Sequence, residues 1–277
     1  MTNYFQNKTC LIVTKHKKEQ IIAPILEDML GLNFIHGHQF DTDSLGTFSG
    51  EVERIKDPLS TVKDKCLLGA HVPDIDFVIA NEGSFGPHPL IPFVKADEEY
   101  LCIYDKKEND FVVEKMIFFE TNFLKETISD LIQLDAILEK LKYPSHGIII
   151  RVESQIIKDI QDPALIKSYV EALLKDHGQC SIETDMRAMY NPTRMQCISQ
   201  LTKKLGSTLL TECDHCGWYG FKIVQQEVGL KCSLCKRPTI STLSHLYQCK
   251  KCGFEKKKLY PYNKQLEDPA YCDWCNP

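Results

Sequence analysis

The chain has 277 residues, 43% of them hydrophobic, and a formal net charge of −5. That length suits one α/β domain of roughly 200 residues with a small appendage, and the negative balance excludes a chain-wide basic footprint for nucleic acid. No run approaches the ~18 apolar residues of a membrane helix, and the opening MTNYFQNKTCLIVTKHKKEQ lacks a signal peptide's apolar length and cleavage site, so a cytoplasmic protein with no membrane partner is expected.

KTCLIVT (8–14) reads as a buried strand, followed by the turn KHKKE and an apolar-periodic helix over 20–30. A short strand at 33–36 leads into the loop HQFDTDSLGTFSGE, and Pro58 suits the first turn of a helix running to about residue 68. DFVIA (76–80) is the next buried strand, and the glycines and prolines of NEGSFGPHP predict irregular structure after it. Strands at 99–105 and 110–119 flank a KKEN turn and predict a hairpin; a long helix is expected over 122–141. A strand at 146–153, a helix over 163–175, a strand at 180–184 and a helix over 192–205 complete the alternation of an α/β domain with a mixed sheet, placed at 1–205.

The remainder, 206–277, carries four C-x-x-C pairs: Cys213/Cys216, Cys232/Cys235, Cys249/Cys252 and Cys272/Cys275. Zn²⁺ takes four tetrahedral thiolates, two from each such turn, so eight cysteines imply two structural ions with no open position for catalysis. The spacings favour consecutive quartets, Cys213/Cys216/Cys232/Cys235 and Cys249/Cys252/Cys272/Cys275, hence two small tandem zinc ribbons; an interleaved cross-brace is the alternative. Gly217 and Gly253 follow the first knuckle of each proposed ribbon, and His245 is a spare candidate ligand. Ten Lys and Arg against seven Asp and Glu give this tail +3, and two Cys₄ zinc sites at −2 each bring it to −1. The run around Lys256, Lys257 and Lys258 offers a nucleic-acid or protein partner a local surface, or is simply a solvated face. The other cysteines, Cys10, Cys66, Cys102, Cys180 and Cys197, sit among apolar neighbours and read as core residues.

Three loops in the first part carry chemistry. Lys15 and Lys17, at a helix opening, suit a phosphate. Asp41, Asp43 and Glu51 are candidate ligands for Mg²⁺ or Mn²⁺, or belong to an Asp-capped loop. Glu82 and His88 supply a base or ligand at a strand end; with Asp185 as a further catalytic candidate and Arg187 and Arg194 as anion-gripping forks they outline a polar site, although Asp185 and Arg187 also suit a structural ion pair.

The ordered set TKHKKE, FDTDSLGTFSGE, ANEGSFGPHP, ETDMRA, NPTRM and YCDWCNP resembles an uncharacterised bacterial domain-of-unknown-function family over essentially the whole chain. A more distant resemblance, to inosine/xanthosine triphosphate pyrophosphatases, rests on Thr14-Lys15, Gly46-Thr47-Phe48, Lys65 and Ala80-Asn81-Glu82-Gly83-Ser84. It ends near residue 90, and Asp57-Pro58-Leu59 stands where that family has a Glu-Asn-Ala metal motif. The expectation is a zinc-containing soluble protein acting as a divalent-metal-dependent hydrolase of a nucleotide or related phosphorylated compound. The alternative is a non-enzymatic nucleic-acid- or protein-binding adaptor using the tail.

Overall fold

The computed structural model describes residues 3–37, 40, 56–160 and 162–277. The chain divides into two compact units, Phe5–Leu205 and Gly206–Pro277 with the N-terminal residues through Tyr4.

In the larger unit the first strand β1 (Thr9–Val13) pairs in parallel with β2 (Asn33–His36) on one side and β3 (Phe77–Pro87) on the other. The helix α1 (Glu19–Leu30) makes the first crossover, and α2 (Pro58–Gly69) precedes β3. The strand β3 then turns back into β4 (Lys95–Asp105), which hairpins into β5 (Asp110–Phe118), giving a mixed five-stranded sheet in the order β2-β1-β3-β4-β5. Its strands are buried on both faces: Leu11, Val13, Val78, Ala80 and Cys102 pack with Val62 and Cys66 of α2, while Cys10, Ile12, Ile79, Leu101 and Ile103 are buried on the alternate positions. Close approach of α2 depends on Gly69, where a Cβ would lie 2.8 Å from both Leu11 Cδ2 and Val13 Cγ2.

The stretch NEGSFGP, expected to be irregular, is instead the second half of β3, paired residue for residue with β4 from Phe77 opposite Asp105 to Pro87 opposite Lys95. Tertiary pairing overrides the local preference of the glycines, and Pro87 sits at the strand's last position, where a missing N–H matters least.

The long helix expected over 122–141 is also absent. A strand β6 (Lys125–Ile128) is followed by a 3₁₀ turn (Leu131–Gln133) and the short helix α3 (Leu134–Lys140). The break falls at Asp130, whose carboxylate accepts from the Ile132 N–H while Gln133 reaches back to the Asp130 N–H. This capping box starts a helix there and so excludes one running through.

The strand β6 belongs to a second, four-stranded sheet in the order β6-β9-β7-β8, formed with β7 (Ile148–Val152), β8 (Gln155–Ile157) and β9 (Cys180–Thr184). Its core of Ile128, Ile148, Ile150 and Ile182 is covered by Ile166, Val170 and Leu173 of α4 (Pro163–His177). The last helix, α5 (Pro192–Leu210), extends past the 192–205 expected for it. Among the described residues, no helix is long and apolar enough to cross a membrane.

The smaller unit is one antiparallel three-stranded sheet, β10 (Lys222–Val228), β11 (Thr242–Gln248) and β12 (Glu255–Leu259), with β11 in the centre. Two separate ribbons are therefore not what this sequence forms.

Candidate functional sites

The cysteines converge in two tetrads, Cys213/Cys216/Cys249/Cys252 and Cys232/Cys235/Cys272/Cys275, each with its sulfurs within 4.8 Å of one another. This corrects the consecutive pairing: the first knuckle joins the third and the second joins the fourth. The reason is strand length. Seven residues of β10 carry the chain about 20 Å from the first knuckle before the second forms. The antiparallel β11 returns the chain to deliver the third knuckle beside the first, and β12 leads away again to the fourth.

Within the tetrads, Cys213 and Cys252 Sγ lie 3.8 Å apart and Cys216 and Cys249 3.6 Å; the second tetrad repeats these as Cys232/Cys275 at 3.8 Å and Cys235/Cys272 at 3.6 Å. A tetrahedron with Zn–S bonds of ~2.3 Å has edges of about 3.8 Å, so both tetrads fit Zn²⁺. The knuckles share one turn. The residue after the second cysteine returns its N–H to the first cysteine's carbonyl, at 2.8 Å for Gly217, 2.9 Å for Gly253, 3.1 Å for Lys236 and 2.8 Å for Asn276. Backbone N–H groups also stabilise thiolate: burial opposes charge on Cys213, yet the Cys216 and His215 amides help hold it down to about 7. The spare candidate His245 belongs to neither tetrad; it is buried on β11 with its ring edge-on to Tyr262. On β12, Lys256 pairs with Asp214 at 2.6 Å and Lys257 with Glu227, so two of the three lysines expected to meet a partner already have carboxylates.

In the larger unit a second constellation forms where β1 and β3, adjacent parallel strands, lead off in opposite directions: β1 into α1 and β3 into the β4 hairpin. Such a switch point is where open α/β sheets bind ligands. Just past β1, Lys18 is buried and donates to Asn81 Oδ1 at 2.8 Å. Asn81 in turn donates to Glu99 Oε2 at 2.9 Å and to the Tyr100 carbonyl at 2.8 Å. The other Glu99 oxygen accepts from Arg194 Nε at 2.6 Å, and Arg194 Nη1 donates to the Met186 carbonyl at 2.7 Å. Beside Asn81, Glu82 is ion-paired with Lys65 of α2, and Asp97 completes the group. All seven side chains are buried. Gly83 is required by this packing, since a Cβ there would come 2.5 Å from Arg194 Nη2 and 2.6 Å from Glu99 Oε1.

Burial and the neighbouring Arg194 cation lower Lys18 to about 7, while burial and the Glu99 carboxylate push Asp97 up to about 8. An amine and a carboxyl that both exchange protons near neutrality are characteristic of functional clusters.

Of the residues expected to form the polar site, Glu82 and Arg194 join this cluster. Asp185 and Arg187 form the structural ion pair: Arg187 Nη2 reaches Asp185 at 2.6 Å and Asp159 at 2.8 Å. His88 serves its own turn, its Nδ1 accepting from the Leu90 and Ile91 amides at 3.1 and 3.2 Å while its ring stacks on Phe119. Lys15 and Lys17 lie on the turn between β1 and α1, where His16 and Lys17 adopt left-handed φ of 65° and 59°. Asp41, Asp43 and Glu51 lie outside the described residues. The sequence pointed to Lys65 only through a resemblance, to Asn81 as a member of the NEGSFGPHP loop, and gave no sign of Asp97 or Glu99 as site residues. The scattered cysteines Cys10, Cys66, Cys102, Cys180 and Cys197 are all buried.

The helix that carries Arg194 is held at its start by His146. Its Nε2 lies 2.9 Å from Thr193 Oγ1 and accepts the Thr193 N–H at 3.4 Å; its Nδ1 lies 2.9 Å from Ser145 Oγ, whose own proton goes to the Lys142 carbonyl. The neutral ring with its proton on Nδ1 satisfies every contact, and burial together with the Lys142 charge lowers its pKa from 6.5. Because the folded state resists protonation, the unfolded chain binds more protons below pH 6.5. The stabilisation is present above that pH and lost as pH falls through the folded value. The urea midpoint is expected to drop between about pH 7.5 and about pH 5.5, and His146→Gln, which keeps an acceptor without titrating, is expected to shrink that drop.

Residues 65–277 match the model of the family described as a domain of unknown function, DUF6671, and the chain belongs to that family. The matched span holds both cysteine tetrads and every member of the buried cluster except Lys18. No curated protein matches the sequence.

Proposed function

We propose that this DUF6671 protein is a hydrolase of a nucleotide or related phosphorylated compound, with its α/β unit as the catalytic part and its C-terminal unit built on two structural Zn²⁺ ions. The observation that carries this reading is the gathering of Lys18, Lys65 and Arg194 with Glu82, Asp97 and Glu99 at the switch point of the parallel strands. Buried charges of both signs are costly as mere fold supports, and a site that must receive an anion without losing its preorganisation has a use for them. An arriving phosphoryl group favours the protonated form of Lys18, and Asp97 keeps a proton to donate at neutral pH. Lys15 and Lys17, next to the first amides of α1, extend the anion contact. Mg²⁺ or Mn²⁺ bound through Asp41, Asp43 and Glu51 belongs to the same reading. Among the described residues only the two cysteine tetrads bring three or more ligand atoms together, so Glu82, Asp97 and Glu99 are not assigned to a metal. Thiolate-bound zinc and unpaired core cysteines suit a reducing, cytoplasmic setting.

A panel of nucleoside mono-, di- and triphosphates with Mg²⁺ or Mn²⁺ is expected to contain a compound that is turned over. Lys18→Met and Asp97→Asn are each expected to cost about 10²-fold or more in kcat. Absence of both turnover and binding across the panel with zinc-loaded protein would remove the proposal.

A further inference from the structure

The larger unit contains a cleft of about 300 Å³ distinct from the buried charge cluster, at the low end of small-molecule sites. It opens where the turn before β7 meets the segment after β9. The two are clamped together: the Gly147 N–H donates to the Tyr190 carbonyl and the Asp185 N–H to the Gly147 carbonyl, both at 2.8 Å. Gly147 makes the closure possible, since a Cβ there would stand 2.8 Å from Tyr190 Cβ and 3.2 Å from Asp185 Cβ.

The walls include Tyr143, Tyr190 and Ile148, flat or apolar surfaces suited to a ring, and the polar groups are Ser145, Asp159 and Asp185. The two carboxylates share one guanidinium, and Asp159 also accepts from the Tyr190 hydroxyl and feels the Lys158 cation. Arg187 bridges both carboxylates and stacks on Tyr190 at 4.7 Å. Asp185 is fully enclosed, whereas the Asp159 side chain is 44% exposed and lines the cleft. An exposed carboxylate edge beside flat walls favours an N–H donor over an anion, and a carboxylate can accept more bonds than the ones it already has.

We propose that this cleft binds a flat ring carrying an amino or amidino donor group, with the ring against Tyr143 and Tyr190 and the donors on Asp159. The site is independent of the phosphate reading, because none of its lining residues belongs to the buried charge cluster.

The test uses the zinc-loaded full chain with benzamidine and adenosine as probes, followed by calorimetry or protein-observed NMR. Benzoate is the anion of matching shape. Benzamidine and adenosine are expected to shift resonances of Tyr143 and Tyr190, and benzoate to leave them unmoved. Asp159→Asn, which keeps an oxygen for Arg187, is expected to weaken benzamidine by about tenfold or more, while Lys18→Met leaves it unchanged. Equal binding of benzoate and benzamidine, binding of neither probe, or an Asp159→Asn variant with unaltered affinity each overturns the proposal. A thermal melt of Asp159→Asn matching the parent's confirms that lost binding reflects the site rather than the fold.

Discussion

Zinc-loaded protein is expected to carry two ions per chain, and paired substitutions will separate the crossed arrangement from the consecutive one. Cys213→Ser with Cys249→Ser removes ligands from the same tetrad and leaves the other complete, so one ion remains. Cys213→Ser with Cys232→Ser damages both tetrads, so neither ion is held tightly. Consecutive ribbons would reverse the two outcomes, and metal analysis after gel filtration reads the difference directly. The effect on stability is expected to be large. The smaller unit has a buried cluster of little more than Cys213, Phe221 and Cys249, two of them tetrad cysteines. With so small a core, zinc held by the tetrads is expected to supply most of the folding free energy, on the order of 10 kcal/mol per ion. Chelation is therefore expected to abolish the cooperative transition of this unit and leave that of Phe5–Leu205 in place.

The pairing was partly legible in the sequence, in Gly217 and Gly253. Both take the left-handed φ that lets their knuckles close, at 69° and 72°. They mark the two knuckles of one tetrad, and the knuckles ending in Lys236 and Asn276 form the other. Counting the residues between pairs obscured this, because the intervals say nothing about which way a strand runs. The same limit explains the loop that became a strand. Glycine and proline report local preference, but Asn81–Pro87 obeys its partner β4, whose Asp97 and Glu99 point inward at buried neighbours in a stretch that reads as polar surface. The apolar runs of strands Thr9–Val13 and Ile148–Val152, the strand Cys180–Thr184, and the Asp-Pro starts of α2 and α4, were legible because burial and capping act within a few residues. Buried charges have no such local mark. Only the fold shows that Lys18, Glu99 and Arg194 meet, Glu99 and Arg194 being 95 residues apart and Lys18 lying farther still from Arg194.

That meeting leads to the second large expected effect. Glu99 and Arg194 are a fully enclosed ion pair, each side chain 0% exposed, with Nε and Oε1 2.6 Å apart. Glu99→Gln retains the shape but removes the charge, leaving the Arg194 guanidinium buried against a neutral amide. Breaking such a pair from one side costs about 3–5 kcal/mol. Replacing both partners, Glu99→Leu with Arg194→Met, removes the uncompensated charge, and the urea midpoint is expected to recover most of the loss despite the lost Met186 contact. Recovery of stability does not imply recovery of function. After burial, Arg194 is the next influence lowering Lys18, and Glu99 opposes it; without the pair, burial still holds Lys18 down but both charges facing an incoming anion are gone. A double variant that is stable yet fails to bind phosphorylated compounds would show that these charges are kept for a ligand. A double variant both stable and fully competent would reduce the pair to a dispensable element of the core and move the anion site to Lys15, Lys17 and the first turn of α1.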